Sequence, residues 1–145
     1  MMKFERILIV CVGNICRSPT VELLFQQRWP NKQISSAGVG ALVGKPMDPT
    51  ALAIAAEHGL DGSQHVARQL TAEMAAEADL IIVMENGHVG AAAEIAPAAR
   101  GKIFLLGKWL NDEPIPDPYR QSQEAFEHVY RLMDKTTASW AKVLG

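Results

Sequence analysis

The chain has 145 residues, 48% of them hydrophobic and 21% charged, with a formal net charge of −2 and a pI near 6.1; that is one domain of ordinary size, long enough to bury a core without disulfides or metals. The mild acidity argues against nucleic acid or an anionic membrane as the main partner. Two cysteines, Cys11 and Cys16, make no disulfide framework and point to a reducing, cytoplasmic setting.

Lys3 and Arg6 precede an apolar stretch too short for a secretory leader or a membrane span, so no membrane insertion is expected. Residues 5–10 read as a buried strand, and Cys11-Val12-Gly13-Asn14-Ile15-Cys16-Arg17-Ser18 follow it directly. Gly13 and Asn14 tolerate left-handed turns, so the N–H groups of this loop can close around an oxyanion. Pro19 opens a helix-compatible stretch with Val21, Leu24 and Phe25, which aims a positive helix end into the same loop. Cys11 then lies in an electropositive cup that favours thiolate over thiol, with Arg17 beside it. The bland alternative is a small buried cysteine at a strand end and a solvated arginine.

The first helix ends before Pro30, and Gln33 to Gly38 read as a second strand. A Gly/Pro-rich loop follows through Gly44 and Pro46. Asp48-Pro49 reads as an N-cap and first helical position of an Ala-rich helix that stops at Gly59. Thr71 caps another helix, with Glu73 near its positive end. Leu80 to Met84 and Ile103 to Leu106 are nearly continuous apolar runs, as in parallel strands covered on both faces. Between them Gly87 to Ala96 is helix-like. Ile115-Pro116-Asp117-Pro118-Tyr119 is an extended, rigid segment. Its Asp117 is either a proton donor or part of an ordinary Asp-Pro turn anchored by Tyr119. Phe126, Val129, Tyr130, Met133, Thr137, Trp140 and Leu144 form the core stripe of one last helix, expected to pack on the sheet.

Strands alternating with helices predict an α/β fold. Its sheet is four-stranded, parallel and doubly wound, in the order 2-1-3-4, with helices on both faces and a phosphate-binding loop after strand 1. Ligands of such sheets bind beyond the strand carboxyl ends at the switch point, where strand 1 delivers Cys11. A thiolate in an anion cup can attack phosphorus, and Asp117 is the candidate acid for the leaving oxygen. His58, His65, His88 and His128 show no ligand spacing, so no metal and no cofactor are expected. By residue type alone His65 reads as a surface histidine or a general base.

Four segments together, Cys-Val-Gly-Asn-Ile-Cys-Arg-Ser-Pro at 11–19, Ser-Ala-Gly at 36–38, His-Val-Ala-Arg-Gln at 65–69 and Asp-Pro-Tyr at 117–119, resemble the low-molecular-weight protein tyrosine phosphatases over essentially residues 1–145. The resemblance implies Cys11 as nucleophile, Arg17 as phosphate clamp, Asp117 as general acid and Ser18 as the hydroxyl that steadies the thiolate. It implies a phosphate site built from Val12, Gly13, Asn14, Ile15, Cys16, Arg17 and Ser18. It also implies a supporting hydrogen-bond network of Asn14, Ser18, Ser36 and His65. A single Tyr after Asp117-Pro118, with Arg120 next, is similar to the bacterial branch paired with tyrosine autokinases of capsule and exopolysaccharide export. The implied partners are a phosphotyrosine protein of that kind and oxyanions. Ile15, Leu42 and Tyr119 are the expected walls of an aromatic slot, against plainer readings of Ile15 as core and Leu42 as an exposed loop residue. Cys16 is the candidate resolving thiol for an oxidised Cys11. An arsenate reductase would need cysteines after Cys16, and phosphoarginine phosphatases resemble this loop but carry Thr at the place of Ile15. A catalytically silent phosphopeptide-binding or redox-sensing module is the alternative outside enzymes.

Overall fold

The computed structural model describes residues 4–145, so Lys3 lies outside the described residues. Strands β1 (Arg6–Cys11), β2 (Gln33–Gly38), β3 (Leu80–Val83) and β4 (Ile103–Leu105) form one parallel sheet in the order β2-β1-β3-β4. Helices α1 (Arg17–Arg28), α2 (Pro49–Glu57), α3 (Ala72–Glu77), α4 (Asn86–Ile95), α5 (Gln123–Ser139) and α6 (Ala141–Leu144) follow in chain order. The expected order and parallel pairing are present.

Alternation along β1 divides the interior. Ile7, Ile9 and Cys11 share one face with Leu80 and Ile82, packed with Leu24, Phe25, Phe126, Tyr130 and Trp140. Leu8 and Val10 face the other side with Ile81 and Val83, against Ala75, Ala92, Ala93 and Ala96. One face is therefore filled by bulky side chains and the other by alanines. The parity of β1 puts Cys11, its last residue, on the bulky side, at the start of α1.

Two local expectations are corrected, the start of the first helix and the unity of the last. Helix α1 begins at Arg17, two residues before Pro19, after a Cys16 N-cap at φ −126°, ψ −77° with no side-chain cap. Pro19 fits the first turn because N–H groups there have no intrahelical acceptor. The last helix breaks at Trp140 into α5 and α6, where the Trp140 indole N–H donates to the Leu106 carbonyl at 2.8 Å. Its stripe reaches the sheet through the shared core, while α5 itself lies against α1 and α2. A 3-10 segment, Pro97–Lys102, also leads into β4. The caps at Asp48 and Thr71 are formed: Asp48 accepts from the N–H groups of Thr50 and Ala51, and Thr71 from Met74. No helix among the described residues is long and apolar enough to cross a membrane.

Candidate active site

The loop between β1 and α1 has its carbonyls and its N–H groups sorted to opposite sides. The carbonyls of Cys11, Val12 and Gly13 accept from the N–H groups of Val39, Gly40 and Leu42 at 3.0–3.1 Å. The Asn14 carbonyl meets His65 Nε2 at 2.6 Å, Ile15 accepts from Asp48 N–H at 2.8 Å, and Cys16 from the Thr20 hydroxyl at 2.9 Å. Six carbonyls in a row are thus held by protein donors. The N–H groups of residues 13–18, in contrast, find no acceptor among the described residues. A row of N–H groups turned to one side, with the positive end of α1 behind it, makes a cradle of the kind that suits an anion.

Asn14 holds the cradle's bend. It is fully buried at φ +60°, a left-handed conformation that costs about 1–3 kcal/mol in a non-glycine residue and is tolerated best by Asn. Its amide satisfies the strain: Oδ1 accepts from Arg68 N–H at 2.9 Å, and Nδ2 donates to Ser18 Oγ at 2.8 Å and Ser36 Oγ at 3.0 Å. Both serine oxygens accept from this amide. Ser36 donates to Glu22. Ser18 Oγ stands 2.9 Å from Cys11 Sγ, a contact in which either group can donate.

Arg17 is 2% exposed and its Nη1 is fully engaged by the protein. That nitrogen donates to Glu85 Oε2 at 2.6 Å and to the Ile115 carbonyl at 2.7 Å. Nη2 lies 3.8 Å from Asp117 Oδ2. With Nη1 anchored, the Nε–Nη2 edge of the guanidinium is left to face an oxyanion, the planar fork that suits phosphate. Residues of the expected site meet in one cleft of about 200 Å³, lined by residues 11–17 with Gly40, Leu42, Asp117 and Tyr119. Leu42 and Tyr119 are 43% and 38% exposed at its rim, and Ile15 both lines the cleft and packs on the core. Asp117 Oδ1 accepts Tyr119 N–H at 3.0 Å, which closes a turn, and the Arg120 guanidinium lies over the Tyr119 ring at 5.3 Å. Ser18, expected in the phosphate site, does not line the cleft; like Ser36 and His65 it lies outside it, in contact with Asn14.

Burial pushes the Cys16 thiol far above its ordinary range, and the Asp48 carboxylate pushes the same way. A larger groove of about 560 Å³ runs past Arg6, Lys32, Ser35 and Arg68 and is lined by no cysteine or histidine. Among the described residues no three His, Cys, Asp or Glu side chains are grouped to hold a metal ion. Residue-type reasoning missed Glu85 and the Ile115 carbonyl. The available signal was position: Glu85 directly follows Met84, beyond the carboxyl end of β3, where ligand-site residues of doubly wound sheets collect.

The family model for low molecular weight phosphotyrosine protein phosphatases matches residues 6–145. The chain is 51% identical over 143 residues to the low molecular weight protein-tyrosine-phosphatase Etp of Escherichia coli K12, covering 99% of this chain and 97% of that protein. Wzb of Vibrio vulnificus, solved in complex with benzylphosphonate, superposes with a TM-score of 0.93 at 50% identity, covering 96% of this chain and 98% of that one. The YwlE arginine phosphatase, solved as a cysteine-to-serine mutant with a phosphorylated active-site serine, is more distant at 28% identity, with a TM-score of 0.89 over 95% of this chain and 94% of that one. A cysteine at the mouth of an anion cradle, an anchored arginine and these matches agree, and the chain belongs to the low molecular weight phosphotyrosine protein phosphatases.

Proposed function

We propose that this phosphatase hydrolyses phosphotyrosine in proteins through a phosphocysteine intermediate, and that its substrate is a bacterial tyrosine autokinase controlling exopolysaccharide or capsule production, met in the cytoplasm. The observation that carries the chemistry is the row of unpaired N–H groups at residues 13–18 around Cys11. Cys11 Sγ attacks phosphorus in line, and the bond from phosphorus to the tyrosyl oxygen breaks as that oxygen takes the proton of Asp117. The cradle and the Nε–Nη2 edge of Arg17 hold the equatorial oxygens while charge develops on them. Water then attacks phosphorus, gives a proton to the Asp117 carboxylate, and releases phosphate and the Cys11 thiolate.

Benzylphosphonate, held by the Vibrio enzyme, carries an aromatic ring on a tetrahedral anion. Leu42, Tyr119 and Ile15 offer such a ring apolar walls here, and a stacked aromatic pair contributes about 0.5–1.5 kcal/mol beyond area burial. The phosphorylated serine in the YwlE mutant supports a covalent phosphoenzyme. The kinase partner rests on the resemblance of this chain to the bacterial branch.

Rapid quenching of the enzyme with a phosphotyrosyl peptide, followed by mass spectrometry, should find phosphate on Cys11. Cys11→Ser should lose turnover while still binding inorganic phosphate, and Arg17→Lys should be crippled because an ammonium cannot form the fork. Substantial hydrolysis by Cys11→Ser would overturn the mechanism. Phosphotyrosyl peptides should outrun phosphoseryl and phosphoarginyl ones, with Tyr119→Ala narrowing the gap through kcat/KM. Equal activity on phosphoarginine would overturn the substrate assignment and leave the cysteine chemistry standing.

A further inference from the structure

Behind the cradle lie two groups that no step above uses. Glu85 is the N-cap residue of α4, yet its carboxylate makes no capping bond to its own helix, although that position usually supplies an acceptor for the first free N–H groups. Its Oε2 is committed to Arg17 Nη1 at 2.6 Å instead, and His88 Nε2, three residues along α4, stands 3.6 Å from the same oxygen. The Glu85 side chain is 42% exposed, whereas those of Arg17 and His88 are 3% and 8% exposed. The carboxylate is thus half-exposed, while the two side chains it faces are buried.

We propose that His88 is a positioning residue for Arg17, acting through Glu85. It fixes the carboxylate that anchors Nη1 and so keeps the Nε–Nη2 edge aimed at the phosphate. The charges around it are Arg17 from α1, Glu85 from the β3–α4 junction and Asp117 from the loop before α5. Nδ1 is buried without a partner among the described residues, so the surroundings select the neutral tautomer with its proton on Nε2, facing Glu85. Burial and the Arg17 charge lower the titration of His88, with Glu85 and Asp117 opposing them. A neutral ring offers Oε2 a partial positive charge; a protonated one would compete with Arg17 for it. The inference rests on Arg17 being the phosphate clamp.

A double-mutant cycle tests it. The inhibition constant of inorganic phosphate, with KM and kcat for p-nitrophenyl phosphate, is measured for His88→Leu and His88→Gln in wild-type and Glu85→Gln backgrounds, with thermal melts as a check of folding. Leu keeps the bulk and removes both ring nitrogens; Gln keeps an N–H that can face Glu85. His88→Leu should raise KM and the phosphate constant about three- to tenfold with a smaller change in kcat, as expected for residues coupled by contact. His88→Gln should restore most of the loss. In the Glu85→Gln background the penalty of His88→Leu should shrink to less than about twofold. Equal penalties in both backgrounds, or none in either, would overturn the proposal. If His88→Leu does not fold, His88→Asn, whose shorter amide stops short of Glu85, takes its place with the same expectations. An Arg17→Lys enzyme with an unchanged phosphate constant would instead sink the clamp reading itself, whatever the cycle gives.

Discussion

Cys16 and Asp117 show how surroundings assign roles to single residues. Both cysteines are free thiols, and Cys16 is held protonated by burial and by Asp48. As a resolving thiol it would have to ionise before trapping a sulfenic acid on Cys11. Well below its raised pKa, each pH unit multiplies its thiolate fraction by about ten. Mild peroxide should therefore give a thiol-reversible Cys11–Cys16 bridge whose share, relative to sulfinic acid on Cys11, rises with pH; mass spectrometry showing only sulfinic acid at every pH would rule the pair out. Asp117 poses a different question, since its Oδ1 already accepts Tyr119 N–H. Asp117→Asn keeps an acceptor for that turn and loses only the acid. Phenyl phosphate, whose leaving group needs the proton, should slow by about 10²–10⁴-fold, and p-nitrophenyl phosphate by much less. Equal losses would remove Asp117 from the role.

At the scale of elements, the end of β2 is pressed against the phosphate loop. A Cβ on Gly38 would lie 2.2 Å from the Val12 carbonyl oxygen and 3.1 Å from Asn14 N, so backbone must move to admit it. Gly38→Ala should cost about 1–3 kcal/mol in urea unfolding, the range of overpacked sites, and should lower kcat/KM by displacing the cradle. Full activity with full stability would show that the loop does not lean on β2. Strands were legible in the sequence because their apolar runs are local, and Asp48 and Thr71 were legible as caps for the same reason. The phosphate loop was legible because Gly13, Asn14 and Arg17 are adjacent in sequence to Cys11. What escaped was set by partners far along the chain. Helix α1 follows a loop pinned by Val39, Gly40, Leu42 and Asp48, and α5 ends where Trp140 reaches Leu106. Glu85 carries no local pattern that marks it as the anchor of Arg17. The support role of His65 followed from family resemblance, and its 2.6 Å contact with the Asn14 carbonyl could not be read from spacing.

For the whole molecule, a buried neutral histidine links folding to acidity. The titration of His88 is lowered in the fold from 6.5, so between its folded value and 6.5 the unfolded chain binds more protons than the native one. Stability then rises with pH across that window and is lost as pH falls through it. Urea unfolding at about pH 7.5 and about pH 5.5 should show a weaker fold at the lower value, with a smaller difference in His88→Gln; identical differences would remove His88 as a contributor. The cradle carries a different kind of consequence. Five of the donors that shape it are main-chain N–H groups, of Val39, Gly40, Leu42, Asp48 and Arg68. Every amino acid except proline supplies such a donor. The side chains at Val39, Gly40 and Leu42, and with Leu42 the rim of the cleft, can therefore change while the backbone bonds stay in place. Asp48 and Arg68 are also held by what their side chains bind, but at Val39, Gly40 and Leu42 the demand of the cradle would appear in a family as a forbidden letter, the persistent absence of proline.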